Sequence, residues 1–397
     1  MNNIAKSIIV SALTLASFAL TSCQDELYNK PKQAPGELTR QSVYIKGGST
    51  IQSFFVEKED VVVNDIKVAL THLPSEEVKV GVEAGNATQL EAYNKAHGTT
   101  YVMLPAEMYS IDKEIAFESG ESIKSLGLKI KDLVFNPAYT YALPIKLTNS
   151  NKCIIDAESE VLLVLEQRIS TKALRIVGSG SEDGSMFPND FKVDTWTLEV
   201  MVNRASYNEN NRSICGTKLV TGSSMNDEIY IRFGDVTIKP NQLQIKTGNS
   251  QIDIPEEALA AEPNTWYMLG FKYDGKANSV YVNGVKVIER EIRTGAYGLT
   301  GFWIGGSNEL IREVRFWKSA RTDKEILDNT WKLVDANDDN LLLYYPLNGK
   351  KRNVETGEIT EDESMLWDWS KSQKHLSMPS GAKFVNNGSE PFIFPIP

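Results

Sequence analysis

Residues 266–287 read WYMLGFKYDGKANSVYVNGVKV. Apolar and polar side chains alternate through 266–273 and again through 280–287, which is the period of half-buried strands. Asn283 and Gly284 form an NG dipeptide within the second segment. NG strongly favours a hairpin, because both turn positions tolerate positive φ. The stretch therefore predicts antiparallel β structure.

The rest of the second half follows the same pattern. Strands are predicted at 196–202, 229–233, 243–247 and 311–317. One amphipathic helix is predicted at 323–334, with an apolar face formed by Ile326, Leu327, Thr330 and Trp331. All seven Trp residues lie in this half. Because every Trp lies in the second half, the two halves are expected to have different roles.

The first half also contains many short strand patterns. Strands are predicted at 61–70, 78–82, 123–130, 141–147 and 161–165, and a helix is predicted at 88–97 with Gly98 as its stop. Many short strands separated by polar turns indicate an antiparallel sandwich. We therefore predict an all-β protein with two β-sandwiches, at 42–168 and 169–397.

Composition excludes several classes of protein. The chain has 397 residues, of which 41% are hydrophobic and 24% charged, as in ordinary globular proteins. Its net charge of −10 opposes the phosphate backbone, so nucleic acid is not an expected partner. Beyond Cys23, the two remaining Cys, Cys153 and Cys215, fall one in each half and are predicted to be free thiols.

The N-terminus indicates export. An uncharged apolar run at 7–20 is too short to span a bilayer and is typical of a signal peptide. The LTSC sequence at 20–23 resembles the bacterial lipobox, which implies a signal peptide at 1–22, acylation of Cys23 and a tether at 23–41. The acidic QDE that follows resembles the surface-export signal of Bacteroidetes lipoproteins. It implies a lipid-anchored outer-membrane protein that faces the cell exterior; a periplasm-facing lipoprotein is the alternative.

A motif in the first half carries a second resemblance. The pattern YN..HGT.Y..LP...YS at 93–110, followed by YALP at 141–144, resembles the N-terminal domain family of Bacteroidetes lipoproteins that accompanies family-18 endoglycosidases. The resemblance covers about residues 43–166, and we expect an immunoglobulin-like sandwich there. We expect these residues to set the fold rather than to contact a ligand, because the Gly makes a turn and the aromatic rings pack the helix onto the sheet.

The second half resembles another family. Its segments WTLEVMV, WYMLGFKYDG, VYVNGVKV, FWIGG, IREVRFWKSARTDKEI and LLLYYPLNG, in this order, resemble the laminin-G-like branch of the concanavalin A-like jelly rolls. This resemblance covers about residues 172–387 and implies a jelly roll. It also implies core positions for Trp196, Trp266, Trp303 and Trp317.

Some jelly rolls of this kind are glucanases, so the residues must decide whether this one is catalytic. Such enzymes carry Glu, Asp and Glu on one face of a strand, and the first Glu is the nucleophile. The nearest sequence here is QIDIPE at 251–256. Gln251 cannot form a glycosyl ester, and Pro255 breaks the alternation that would align the side chains. We therefore predict that the protein is not an enzyme.

A lectin site needs an aromatic face with polar groups at its rim. The first candidate is the loop with Tyr207, Asn210, Asn211 and Arg212; the second is Asn226 with Asp227. The third consists of Trp367, Asp368 and Trp369, whose two rings share a side if the segment is extended. Alternatively, these Trp residues cover the end of the sandwich, and the Asn-rich loop is only a turn.

No metal or cofactor is predicted with any specificity. Some laminin-G-like domains bind calcium, and Asp183 or Asp227 could supply oxygen ligands, but no EF-hand-like spacing supports this.

These observations together predict a non-catalytic surface glycan-binding lipoprotein of a glycan-utilisation system. By resemblance, its partners would be an outer-membrane importer, the importer's lipoprotein partner and an endoglycosidase, and its ligand a mannose-rich N-glycan. One alternative is an adhesive protein that binds a protein partner through an apolar sheet face. The other is a glycosidase with two carboxyls about 5 to 9.5 Å apart.

Overall fold

The computed structural model describes residues 41–47, 51–56, 61–131, 133, 139–219, 227–306 and 308–395. The predicted signal peptide, Cys23, nearly all of the tether and Asn226 lie outside these residues. The chain divides into two compact units, Met1–Val134 with Thr140–Glu166, and Phe135–Tyr139 with Gln167–Pro397. The sequence placed this boundary after residue 168.

The all-β prediction is confirmed, since the regular structure of the described residues consists of strands, two α-helices and one short 3-10 helix at Ala106–Met108. Within this part of the chain, no helix has the length and hydrophobicity needed to cross a bilayer. The strands of the first unit are β1 (Ser42–Ile45), β2 (Ile51–Val56), β3 (Val61–Val63), β4 (Lys67–Leu70), β5 (Val78–Ala84), β6 (Val102–Met103), β7 (Tyr109–Ile111), β8 (Glu114–Phe117), β9 (Ile123–Ser125), β10 (Leu128–Ile130), β11 (Tyr141–Ser150), β12 (Ile154–Ile155) and β13 (Glu160–Gln167).

Three sheets form the first unit: β2-β13-β11-β5-β8 with β6 beside β11, β12-β1-β4-β9, and β3-β10-β7. Two predicted strands, 61–70 and 123–130, are each divided in two. The chain crosses from one sheet to another at both places, where the Leu126 N–H donates to the Ile66 carbonyl at 2.9 Å. Alternation alone cannot show such a crossing, because both halves keep the same period.

The helix α1 (Ala87–His97) packs on the sheet through buried Leu90, which contacts Ala142 and Val164. Gly98 ends it in the left-handed conformation, with φ 63°. Asn94 organises the chain that follows, because its amide donates to the Tyr101 carbonyl at 2.8 Å and accepts from Thr99 Oγ1 at 2.7 Å. The motif at 93–110 therefore has a structural role.

The second unit contains a helix α2 (Asp323–Asp328) and a longer series of strands. They are β14 (Ile169–Thr171), β15 (Ala173–Ile176), β16 (Ser181–Asp183), β17 (Lys192–Val193), β18 (Trp196–Arg204), β19 (Arg212–Lys218), β20 (Ile229–Asp235), β21 (Ile238–Thr247), β22 (Ser250–Asp253), β23 (Trp266–Tyr273), β24 (Asn278–Val282), β25 (Val285–Arg290), β26 (Tyr297–Gly298), β27 (Gly301–Ile304), β28 (Glu309–Trp317), β29 (Leu341–Tyr345), β30 (Lys350–Arg352), β31 (Ile359–Glu361), β32 (Met365–Leu366), β33 (Leu376–Ser377), β34 (Lys383–Val385) and β35 (Phe392–Phe394).

Two large sheets dominate this unit. One has the order β25-β24-β23-β18-β28-β15-β34, with β29 beside β28, and the other has the order β16-β27-β19-β20-β21-β22. Their facing side chains form a single large cluster that includes Trp196, Ile231, Phe271 and Phe302. The predicted hairpin at Asn283 and Gly284 connects β24 to β25, and both residues have positive φ.

The outer face of the larger sheet is covered at its centre. Every residue of β18 is buried, including Glu199, whose Oε2 accepts from Trp317 Nε1 at 2.8 Å. Arg315 on β28 pairs with buried Glu313 at 2.9 Å. Charges buried in this way need partners, and these pairs supply them.

The predicted helix at 323–334 was too long, because α2 ends at Asp328. Trp331 has a φ of 67°, and its ring stacks on Phe394 with centroids 6.1 Å apart. A regular helix cannot contain this backbone conformation. The helix thus ends at Asp328, before Trp331, whose indole ring packs on Phe394.

Candidate functional site

The outer face of the six-stranded sheet β16-β27-β19-β20-β21-β22 carries partly exposed side chains, among them Trp303 and Tyr230, and we call it the open face. On β20, Ile229, Ile231 and Phe233 are buried in the core. Glu228, Tyr230 and Arg232 alternate with them and therefore lie on the open face.

One row of cross-strand neighbours crosses all six strands of this sheet. It consists of Glu182, Trp303, Gly216, Tyr230, Lys246 and Gln251. Members of one row project from the same face of a sheet. The rings of Tyr230 and Trp303 lie on either side of Gly216, with centroids 6.4 Å apart and planes inclined by 50°.

Gly216 is required between these two rings. A Cβ at this position would lie 2.5 Å from Tyr230 Cβ and 2.9 Å from Trp303 Cζ2. A β-bulge between Ser213 and Cys215 turns both Ile214 and Cys215 into the core. The bulge changes the alternation of β19, so that Gly216 reaches the open face.

Polar side chains form a fixed rim on one side of the rings. Arg232 donates from Nε to Gln244 Oε1 at 2.7 Å and from Nη1 to Asn211 Oδ1 at 2.5 Å, and it pairs with Asp235. Gln244 in turn donates to Asp253 Oδ1 at 2.6 Å. The guanidinium and amide groups are thus held in place before any ligand arrives.

The other side of the rings carries an ion pair and a carboxyl group. Lys218 Nζ lies 2.9 Å from Glu182 Oε2. The Oε2 atom of Glu228 is buried and has no hydrogen-bond partner among the described residues. Burial raises the pKa of Glu228, and the nearby charges of Lys246, Arg232 and Lys218 oppose this shift.

Together these groups enclose an open cavity of about 380 Å³, which we call the aromatic cavity. Its lining residues are Glu182, Asn211, Ser213, Lys218, Glu228, Tyr230, Arg232 and Trp303. The sequence placed Trp303 in the core, and this was wrong because its ring is only half-buried on the open face. Trp196, Trp266 and Trp317 are buried as expected.

Sequence reasoning missed Tyr230 and Trp303 as a pair. Two signals were available in the sequence. The alternation at 229–233 puts Tyr230 on the face opposite the core. Gly216 lies inside a strand, and a glycine there often marks a close approach of another chain segment or a ligand. Nothing in the sequence shows that β19, β20 and β27 are neighbours, or in which register.

The loop candidate contributes in part. Asn211 lines the aromatic cavity and adopts a φ of 61°, and its N–H donates to the Gly234 carbonyl at 2.9 Å. Asn210 is exposed beside it. Arg212 pairs with Glu209 and lines a separate cavity of about 290 Å³.

Tyr207, in the same loop, is not an exposed platform. Its ring packs edge-on against Phe233 with centroids 5.0 Å apart, and the Arg204 guanidinium lies 5.4 Å from the ring centroid. Its hydroxyl is buried, and burial raises its pKa well above the usual value. Tyr207 is therefore a packing residue.

The Trp367, Asp368 and Trp369 candidate is corrected in the same way. Trp369 is 3% exposed, and its Nε1 donates to the Lys350 carbonyl at 2.9 Å. Asp368 is 1% exposed and accepts from the Tyr344 N–H at 2.9 Å and the Lys374 N–H at 2.8 Å. Trp367 is half-buried, and its Nε1 donates to the Asp362 carbonyl at 2.9 Å. These residues cover the sandwich and offer no platform.

Asp227 is occupied by protein donors, namely Arg293 Nη2 at 2.5 Å and the Gly298 N–H at 2.9 Å. Asp183 accepts from the Ser185 N–H and hydroxyl, each at 2.7 Å. In the described part of the chain, no three His, Cys, Asp or Glu side chains are arranged to hold a metal ion. Calcium also takes backbone carbonyls as ligands, so calcium binding at Asp183 or Asp227 stays a prediction.

The glucanase-like segment does not form the arrangement of those enzymes. β22 ends at Asp253, before Pro255, and the exposed Glu256 pairs with Lys239. Gln251 donates to Asp253 on the open face.

Comparisons with known proteins agree with the two-unit architecture. Residues 38–153 match a family model described as an N-terminal domain, and residues 179–327 match the model of the concanavalin A-like lectin/glucanases superfamily. The chain thus combines this N-terminal domain with a concanavalin A-like domain. No curated protein matches the chain.

A crystal structure of a candidate carbohydrate-binding protein from Bacteroides ovatus is similar to 88% of this chain, over 99% of its own length. The identity is 20% and the TM-score 0.58, which shows a common fold. Domain 4 of a Geobacillus stearothermophilus arabinanase covers 40% of the chain and 72% of its own, at 14% identity and a TM-score of 0.29. A Ruminococcus gnavus sialidase CBM40 module covers 41% and 98%, at 12% identity and a TM-score of 0.31. The TM-scores of the last two structures are too low to support a conclusion about function.

We predict that Glu228→Gln stabilises the second unit more at about pH 7 than at about pH 4. The folded pKa of Glu228 is raised above the ordinary 4.5, so its contribution to the free energy of unfolding falls as pH rises through the folded pKa. Glutamine removes this loss. Thermal unfolding at both pH values measures the difference, with the exposed Glu257→Gln as control. Equal shifts at both pH values would contradict the prediction.

We predict that Trp369→Ala destabilises the second unit by about 3–5 kcal/mol, because it empties a filled core position. Urea unfolding measures the change, and Leu327→Ala, at a side chain that is 52% exposed, should change stability by no more than about 0.5 kcal/mol. Loss of ligand binding by Trp369→Ala at unchanged stability would instead make the ring a contact residue.

Proposed function

We propose that this protein binds glycan in the aromatic cavity and does not cleave it. The observation that carries the proposal is the Trp303 and Tyr230 pair on an otherwise polar sheet face. Sugars present patches of C–H groups that stack on aromatic rings, and hydroxyls that bind to planar polar side chains. Arg232, Asn211 and Glu228 supply such groups around the rings.

The comparisons support the same function. The concanavalin A-like superfamily contains lectins as well as glucanases, and the Bacteroides ovatus structure with the same fold is a candidate carbohydrate-binding protein. The open face also argues against the adhesive alternative, because charged and amide groups surround the two rings. A sheet face that binds a protein partner would be expected to carry a contiguous apolar patch.

The glycosidase alternative rests on one observation, which is that Glu182 and Glu228 both line the aromatic cavity. A retaining or inverting mechanism needs one carboxylate free to act as nucleophile or base. Glu182 is held by Lys218 at 2.9 Å. This exposed pairing leaves Glu182 ionised. The raised pKa of Glu228 suits an acid, but its Oε2 atom is buried, so binding is the better-supported function.

We predict that Trp303→Ala weakens glycan binding about 10–100-fold, because stacking on the indole contributes about 1.5–3 kcal/mol. The protein without residues 1–23 would be tested on a glycan array and by affinity electrophoresis. Val285→Ala, at an exposed side chain on the other sheet, is the control and should bind normally. Unchanged binding by Trp303→Ala would exclude the cavity, and release of shorter sugars that Glu228→Gln abolishes would establish hydrolysis.

The proposal also includes the protein's location and partners. The LTSC and QDE sequences support a lipoprotein on the outer face of the outer membrane. The N-terminal motif supports a place in a glycan-utilisation system, beside an importer with its lipoprotein partner and an endoglycosidase. A mannose-rich N-glycan as ligand rests on that resemblance alone.

We predict that Cys23→Ser transfers the protein from the membrane fraction to the soluble fraction, since anchoring depends on the acyl chains. Fractionation of cells with an antibody against the second unit measures this. Proteinase K added to intact cells should digest the wild-type protein, whereas a periplasmic enzyme should survive as the control. Survival of the wild-type protein would contradict exposure at the surface.

A further inference from the structure

The two rings of the aromatic cavity cannot enclose a sugar between parallel faces. Carbon atoms in contact lie about 3.5–4.0 Å apart, so a sugar ring stacked on both sides needs roughly 7–8 Å between the aromatic planes. The centroids are 6.4 Å apart, and the planes are inclined by 50°. A sugar that stacks on Trp303 therefore meets Tyr230 with its edge.

The same inclination opposes the binding of a flat, extended chain. Successive sugars that share one plane would need aromatic rings that are close to coplanar. Trp303 and Tyr230 are the only aromatic residues on the open face of the described strands of this sheet. Beyond Trp303 the row ends in Glu182, and beyond Tyr230 it continues to Lys246 and Gln251.

Polar groups surround the rings in every direction within the sheet. The Glu182 and Lys218 ion pair borders Trp303, and the fixed Arg232 borders Tyr230. Glu228 also lines this space, and its buried Oε2 has no hydrogen-bond partner among the described residues. Groups placed around the circumference of one ring suit the hydroxyls of one sugar.

The size and charge of the cavity narrow the class of ligand. A volume of about 380 Å³ falls within the roughly 300–1,000 Å³ of small-molecule sites. The three cations Lys218, Arg232 and Lys246 are outnumbered by the four carboxylates of Glu182, Glu228, Asp235 and Asp253. An anionic sugar would gain no net attraction here.

We infer that the aromatic cavity binds one neutral pyranose at the end of a glycan, with its face on Trp303 and its edge against Tyr230. This inference rests on the proposed function and specifies the part of the glycan that is bound. The remainder of the glycan extends away from the open face into solvent.

Calorimetric titration tests the inference with methyl pyranosides of mannose, glucose and galactose, and with the matching di-, tri- and tetrasaccharides. For the sugar that binds, the dissociation constants of all lengths with the same terminal residue should agree within about threefold. An increase in affinity of more than about threefold per added residue would overturn the inference and leave glycan binding intact. Failure of every sugar to bind would instead contradict the proposed function.

Two sets of variants locate the bound sugar. Tyr230→Ala should weaken binding of the monosaccharide, and Tyr230→Phe, which keeps the ring, should preserve it. Gln251→Ala lies two strands beyond Tyr230 and should leave binding of mono- and trisaccharides unchanged. Weakening of the trisaccharide alone by Gln251→Ala would show a chain lying along the row and would overturn the inference.

Discussion

The site depends on the close approach of two aromatic side chains across a glycine. Gly216 is the cross-strand neighbour of both Tyr230 and Trp303, and a methyl group there would contact both. The bulge that follows Ser213 puts this glycine on the open face. One extra residue in β19 thus determines both the packing of Ile214 and Cys215 and the composition of the site.

The polar rim gives the rings their chemical surroundings. Arg232 is 8% exposed and is held by a glutamine, an asparagine and an aspartate from different segments of the chain. Side chains held in this way lose little rotational freedom when a ligand binds, so more of the interaction energy remains as affinity. The same arrangement explains why Asn211, from the loop candidate, belongs to the site while Tyr207 does not.

Local patterns were sufficient for the fold class and insufficient for the site. Alternation and the NG turn predicted the strands around 266–287, and the ordered motifs identified the concanavalin A-like domain. Register and sheet order are long-range properties, so the pairing of Trp303 with Gly216 had no local signal. The sequence analysis also predicted the wrong aromatic rings to be exposed. Trp367 and Trp369 lie in a segment that packs on Tyr344. Alternation along this segment does not show which of its two faces is covered by the rest of the unit.

The covered centre of the larger sheet has a consequence for valency. With β18 buried on both faces, the described strands of the second unit leave the open face as the exposed sheet surface, and in the binding mode that we infer one molecule would hold one glycan terminus there. Such monovalent receptors distinguish glycans by the number of their termini. A branched glycan with several termini engages several copies of the receptor at once, and a linear polymer engages one. Where many copies share a surface, retention would therefore rise steeply with branching, although no individual contact becomes stronger.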